Sequence, residues 1–257
     1  MRTIHPTAVV DPAAELADSL DIGPYCVVGP HVRLGEGVRL VAHVHVDGII
    51  SLGAQCVVYP FASLGSRTQD LKYKGGSPRV EIGTGTTIRE YVTVNAATRD
   101  GDVTRVGSNC HIMAYAHVAH DCQIGNGVIM ANCATLAGHV IVEDEVGIGG
   151  LCGVHQFVRL GRLCYIGGCS KITQDVPPFM IADGNPLEIH GINLVGMQRR
   201  GLDDHATQAL KKTFRILYRE GLSTRQALEK IQTEIEMVPE VKSLVDFITA
   251  SNRGITR

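Results

Sequence analysis

The sequence has no long apolar run, no excess of either charge and no closely spaced cysteine pair, and each absence removes a class of protein. No window holds the roughly 18 uninterrupted apolar residues of a membrane span. Met1 to Pro6 carries no charged segment leading into an apolar stretch, so the expectation is a cytoplasmic chain with no membrane span. The formal net charge of -2 argues against a nucleic-acid partner, which calls for a basic face, so any anionic partner is met by local charge. Eight cysteines are present without a single C-x-x-C, which argues against metal or redox motifs of that spacing. What remains, 257 residues with 44% apolar and 19% charged, suits one large domain with a sizeable core and a smaller second domain.

The dominant feature is a period of six. From Val106 an aliphatic residue recurs at Ile112, Val118, Ile124, Met130, Leu136, Val142, Ile148, Val154, Leu160, Ile166 and Ile172. The same step runs from Ile4 through Val10, Leu16 and Ile22 to Leu64, and returns at Ile82, Ile88 and Val94. Four places after each stands a second small or β-branched residue, and six of the cysteines (Cys26, Cys56, Cys110, Cys122, Cys152, Cys164) occupy that place, where reduced core thiols are expected. Six fits neither a helix nor a hairpin strand, but it fits a short strand plus a corner repeated around a three-sided prism. One hexad cannot bury its aliphatic residue alone; stacked coils bury a continuous column and pair each backbone group with the coil above and below. Glycine often follows the aliphatic residue, as at Gly23, Gly35 and Gly125, where a crowded corner is expected to exclude a side chain. Two polar interruptions, 66–79 and 99–104, read as loops leaving the prism, either functional or tolerated insertions.

The hexads stop at Asp175-Val176-Pro177-Pro178, and a helical period follows Asn185-Pro186, which divides the chain into a prism of 1–185 and a helical domain of 186–257. Helices are expected over Ile192 to Arg200, around Leu210, Phe214 and Leu217 before Gly221, from a capping box at Ser223 to Gln226, and from Pro239.

With three hexads to a coil, residues 18 apart stack at the spacing of a parallel sheet, about 4.8 Å. That rule brings His120, Gly138 and Gln156 into one column, with His117, Asp121, His139 and His155 beside it. All fall outside the inward positions. Outward histidines on a solenoid are often merely solvated; four at one corner point instead to chemistry, either proton transfer or a zinc site.

These hexads resemble those of the hexapeptide-repeat acyltransferases, which implies a left-handed parallel β-helix with a C-terminal α-helical domain. The likeness narrows at His117-Val118-Ala119-His120-Asp121-Cys122, Leu136-Ala137-Gly138-His139-Val140, Val154-His155-Gln156-Phe157, Gln174-Asp175-Val176-Pro177-Pro178 and Gln198-Arg199-Arg200-Gly201. Together with Gln69-Asp70-Leu71-Lys72-Tyr73 and Asn252-Arg253-Gly254, they are similar across the whole chain to the acyl-carrier-protein-dependent UDP-N-acetylglucosamine O-acyltransferases of lipid A synthesis. Such transfer needs a base for the sugar hydroxyl and a donor for the tetrahedral oxyanion. The resemblance implies His120 as base, Asp121 as its orienting partner and the Gly138 amide as oxyanion donor. It further implies that His117, His139, His155, Gln156, Asn193 and Arg199 contact the sugar nucleotide or acyl chain, that Asp70 and Lys72 reach in from a neighbouring subunit of a homotrimer, and that Gly168 borders the acyl groove. No cofactor and no metal is implied, which sets this reading against a zinc-dependent, γ carbonic anhydrase-like hydrolase. The 3-hydroxyacyl carrier protein is acidic, so a basic patch is expected from Arg199, Arg200, Lys211 and Lys212, with Arg215 and Arg219 nearby. One departure stands out: where the family has a basic residue followed by Gly-Thr, this chain has Asn95-Ala96-Ala97-Thr98, which leaves a 3-amino analogue of the sugar as a second acceptor.

Overall fold

The computed structural model describes residues 1–257. Residues 1–176 wind into a left-handed parallel β-helix with three faces of 9, 9 and 8 strands, almost every strand only two to four residues long. Call the faces A, B and C in the order in which the chain first visits them, at Arg2–Ile4, Val9–Val10 and Glu15–Leu16. The aliphatic series is the inward column of each face: Ile112, Met130 and Ile148 on A, Val118, Leu136 and Val154 on B, Ile124, Val142 and Leu160 on C, each at most 3% exposed. Burying each such side chain is worth about 1.5–3 kcal/mol, a gain no isolated hexad could obtain. The corners are paired as well as the strands, as in Gly23 N–H to Leu40 O at 2.8 Å, so coil follows coil without a free backbone edge between.

Corner glycines are required by close approach. A Cβ on Gly23 would stand 1.8 Å from Val41 O, and one on Gly125 would stand 2.7 Å from Asp144 N. Elsewhere in the same corners, sixteen residues other than glycine take positive φ, among them Tyr91 (59°), Asp121 (62°), His139 (61°) and Phe157 (65°). The six hexad cysteines are buried and unbridged, Cys133 is half-buried and Cys169 exposed; burial pushes the Cys122 thiol up to about 12.

The stacking rule of 18 holds from Val103 to Ile172, as where His117 pairs with Thr135 and Thr135 with Gly153, and shortens to 16 only at the top, where Leu160 bridges Val176 and Tyr165 pairs with Ile181. Below, it fails in two places for one reason. Thr93 pairs with His117, 24 residues on, because 99–104 bulges out; Ser63 pairs with Thr93, 30 residues on, because 66–79 does. Both loops leave at the corner between faces B and C.

The helical part begins later than the composition indicates. Met180–Asp183 and Glu188–Ile192 form an antiparallel hairpin on face A, so the boundary expected at 185 falls in its turn. Four helices follow: α1 (Leu194–Arg199), α2 (Asp204–Arg219), α3 (Thr224–Glu234), which carries the expected capping box at Ser223 and Gln226, and α4 (Pro239–Thr249). Leu210, Leu217, Ile231 and Leu244 form their shared core. The chain then returns to the prism, where Ile255 bridges Asp175 in parallel register, so 251–257 belongs with the β-helix in space.

Candidate active site

The corner between faces B and C gathers the polar residues. His120 Nδ1 lies 2.7 Å from Asp121 Oδ2, and Asp121 Oδ1 accepts from Thr98 N–H at 3.2 Å. The carboxylate can only accept, so Nδ1 bears the ring proton and Nε2 keeps its lone pair. Thr98 Oγ1 adds a contact of 3.1 Å to the same Nδ1 and another of 3.1 Å to Thr68 Oγ1, and Thr104 Oγ1 accepts from Asp121 N–H at 2.8 Å. Burial is the largest influence on the Asp121 carboxyl and by itself raises it; hydrogen bonds from His120 and Thr98 and the nearby His139 overcome this and hold it below the usual carboxylate value.

Gly138 stands one coil above His120. A Cβ there would be 2.3 Å from His120 Cε1 and 2.6 Å from Nε2, so the imidazole lies across the bare glycine. The Gly138 N–H has no backbone acceptor, as is general for this turn position, which Pro24, Pro30 and Pro60 fill lower down. His139 packs edge-on against His120 at 5.3 Å and flat against Phe157 at 4.7 Å. His117, on face B, is half-buried with Nδ1 2.7 Å from Thr93 Oγ1; burial, then the neighbouring His120, lowers its pKa, which keeps it neutral near pH 7. Gln156 is exposed in the next coil, where its carbonyl lies 3.1 Å from His155 Nδ1.

Asp70 and Lys72 line a cavity of about 540 Å³ with His139, Phe157, Thr98 and Arg99 of the same chain. Within the single chain Thr68 and Thr98 tie the loop to its own prism, whereas the resemblance implies that a neighbouring subunit supplies these two residues. Asn193 and Arg199 lie elsewhere. Asn193 caps α1 through Gly196 N–H and donates to Leu163 O, and Arg200 pairs with Glu145 at 3.3 Å, all at the corner between faces C and A, so a single chain does not bring them to His120. Gly168 is exposed at the third corner, across face B, with nothing nearer a Cβ than Gly150 O at 3.3 Å. Between Gly168 and the His120 corner, Gly153 faces outward from face B with open space around it.

The basic patch is partly neutralised, with Arg200 paired to Glu145 and Arg215 to Glu220, while Lys211 and Lys212 line a cavity of about 440 Å³ with Arg215, Lys230, Glu220 and Glu234. Asn95 to Thr98 is buried, and Asn95 Oδ1 has no partner. The periodicity missed Thr98 and Thr104, since Thr98 borders and Thr104 closes the 99–104 interruption, across which the register to the coil below is 24 instead of 18. Ligand atoms of His120, Asp121 and His139 lie within 4.8 Å of one another, close enough for an ion to join them.

The chain matches two family models: Udp N-acetylglucosamine O-acyltransferase, Domain 2, over residues 175–256, and the bacterial transferase hexapeptide (six repeats) over 104–138. It is 48% identical to the acyl-[acyl-carrier-protein]--UDP-N-acetylglucosamine O-acyltransferase of Thermodesulfovibrio yellowstonii, with 100% of both chains covered. The chain belongs to this acyltransferase family. Solved members superpose over its length: LpxA from Acinetobacter baumannii with TM-score 0.95, 41% identity and 99% of each chain covered, and the UDP-N-acetylglucosamine acyltransferase of Bacteroides fragilis with 0.97, 36%, and 99% of this chain against 100% of the other. In this chain the polar cluster lies where the imidazole of His120 crosses Gly138.

Proposed function

We propose that this protein transfers a 3-hydroxyacyl group from acyl carrier protein to the 3-hydroxyl of the glucosamine in UDP-N-acetylglucosamine, the first step of lipid A synthesis, in the cytoplasm. His120 Nε2 takes the proton of the sugar hydroxyl as its oxygen attacks the thioester carbonyl. The tetrahedral oxyanion meets the Gly138 N–H, and its collapse expels the carrier thiolate, which takes the proton back from His120. Asp121 holds the ring in the tautomer that can act as base and offsets the imidazolium formed in passing. The observation that carries this reading is the pairing of a carboxylate-fixed imidazole with a bare backbone amide one coil away.

His117, His139 and Gln156 surround the acceptor sugar, with Asp70 and Lys72 closing over it. Asn193 and Arg199, at the corner of a second subunit, complete the site in a homotrimer. The glycine-floored strip of face B from Gly153 to Gly168 takes the acyl chain. Lys211 and Lys212 with Arg199 and Arg200 recruit the acidic carrier.

Incubating the protein with UDP-N-acetylglucosamine and 3-hydroxyacyl carrier protein yields the 3-O-acyl product, and His120→Ala loses on the order of 10²–10⁴ in rate. Full activity in that variant would falsify the base assignment. The buried Asn95-Ala96-Ala97-Thr98 segment, in place of the family's basic one, supports assaying the 3-amino acceptor alongside; a preference for it makes the product an amide with the same base and amide roles. The closeness of His120, Asp121 and His139 makes metal analysis the companion measurement, and stoichiometric zinc in active protein would point to hydrolytic chemistry instead.

A further inference from the structure

Nothing in the acyl transfer so far uses the closing segment Asn252-Arg253-Gly254. Its placement is built with care. Asp175, 1% exposed, accepts from Ser251 Oγ at 2.7 Å and from Arg159 N–H at 2.8 Å, its own N–H donates to Gly254 O at 3.1 Å, and Thr256 N–H donates to its carbonyl at 2.8 Å. With Ile255 bridging Asp175, and Gly254 over Gln174, the tail supplies one last rung to the corner that carries His120 and Gly138. Residue 253 therefore follows Ala137, His155 and Thr173 up that corner, with the whole helical domain inserted before it.

From this rung the Arg253 side chain runs back toward the site. Nε and Nη2 donate to Thr173 O at 3.3 and 3.2 Å, and Nη2 lies 3.3 Å from Nδ1 of His155. His155 is one rung from Gly138, and rungs are about 4.8 Å apart, so the guanidinium is held within roughly two rungs of the oxyanion donor. Arg159, Arg162 and Arg200 at this end of the prism each face a glutamate. Arg253 faces a carbonyl and an imidazole instead, and its Nη1 donors have no partner. A tie for the tail alone needs no permanent charge. A fixed guanidinium with no carboxylate partner and with its Nη1 donors free fits a phosphate, whose oxygens accept charge-assisted N–H bonds.

We propose that Arg253, with His155 beside it, binds a phosphate group of one of the two substrates. The inference rests on the acyltransferase reading, in which both substrates carry the group: the diphosphate of the sugar nucleotide and the phosphodiester of the carrier's pantetheine arm. The test compares wild type, Arg253→Gln, Arg253→Lys and Ser251→Ala, the last loosening the tail while keeping the guanidinium. Arg253→Gln is expected to raise one KM about tenfold to a hundredfold with kcat within about twofold, as loss of a charge-assisted contact does. Arg253→Lys recovers part of the loss, and Ser251→Ala shows a smaller rise in the same KM. A rise confined to UDP-N-acetylglucosamine assigns the diphosphate, and one confined to the acyl carrier assigns the phosphodiester; either supports the site. Both KM values unchanged, or both raised alike together with a lowered thermal midpoint, overturns it. Equilibrium dialysis with inorganic pyrophosphate separates the two levels of inference: weaker binding in Arg253→Gln supports the phosphate site even if wild type transfers no acyl group, and equal binding in both sinks it.

Discussion

Two corners of the same prism use one backbone position for opposite ends. At the corner between faces A and B, the positive-φ residues Tyr25, His43, Phe61, Tyr91 and Tyr115 stack ring on ring, with centroids 4.7–5.0 Å apart. At the corner between B and C, the same turn position holds Asp121, His139 and Phe157. Left-handed backbone is unfavourable for such residues by about 1–2 kcal/mol each. In the first column, stacking at about 0.5–1.5 kcal/mol per pair offsets that strain. In the second, hydrogen bonding around His120 and the packing of His139 on Phe157 do so, and the groups are held ready for proton transfer. His43 and His139 each lie flat against an aromatic ring, and only His139 also meets a carboxylate, 3.6 Å away at Asp121. A histidine on a solenoid is thus made structural or chemical by its column, and its local sequence does not say which.

The sharpest way to break this contrast is Asp121→Asn, which replaces the acceptor at His120 Nδ1 with a group that can donate. The ring is then free to turn or to carry its proton on Nε2, and the rate of acyl transfer should fall on the order of 10²–10⁴ while the fold, followed by circular dichroism, persists. An active Asp121→Asn enzyme means the corner does not work as a fixed base. Gly138→Ala comes next. Its Cβ would overlap the imidazole, so steady-state kinetics should show kcat lowered by roughly 10²–10³ through the displaced base and disturbed amide. Unchanged kcat there removes Gly138 from the site.

In the other column, Tyr91→Ala deletes two stacks at once, between Phe61 and Tyr115. It should cost about 1–3 kcal/mol in urea unfolding while leaving kcat within about twofold. Lost activity with intact stability would show that the ladder is not the inert half of the comparison. The smallest change is expected from Gly168→Met, across face B from the catalytic corner, where space exists for the side chain. It should shift donor preference toward shorter acyl chains in competition assays at similar total activity, and an unaltered preference would place the acyl chain elsewhere.

Much of this site is legible in the hexads because stacking is arithmetic where no loop intervenes: His120, Gly138 and Gln156 are 18 apart and stand in one column. The register breaks at 24 and 30 residues where loops leave, and the hydroxyl network of Thr68, Thr98 and Thr104 beneath His120 lay hidden in those breaks. Asp70 and Lys72 were tied to the family by motif, yet their docking on their own prism depends on a threonine pair 30 residues apart.

The sequence by itself determined the prism, its inward columns, the buried cysteines and the helices after Pro186, because each follows from a period or a cap a few residues long. Only the tertiary structure decided that the helical domain is an excursion before a last rung, that Arg253 returns to the catalytic corner, and that Arg199 stands on another one. Those placements rest on contacts such as Asp175 with Ser251, which are long in sequence and carry no period.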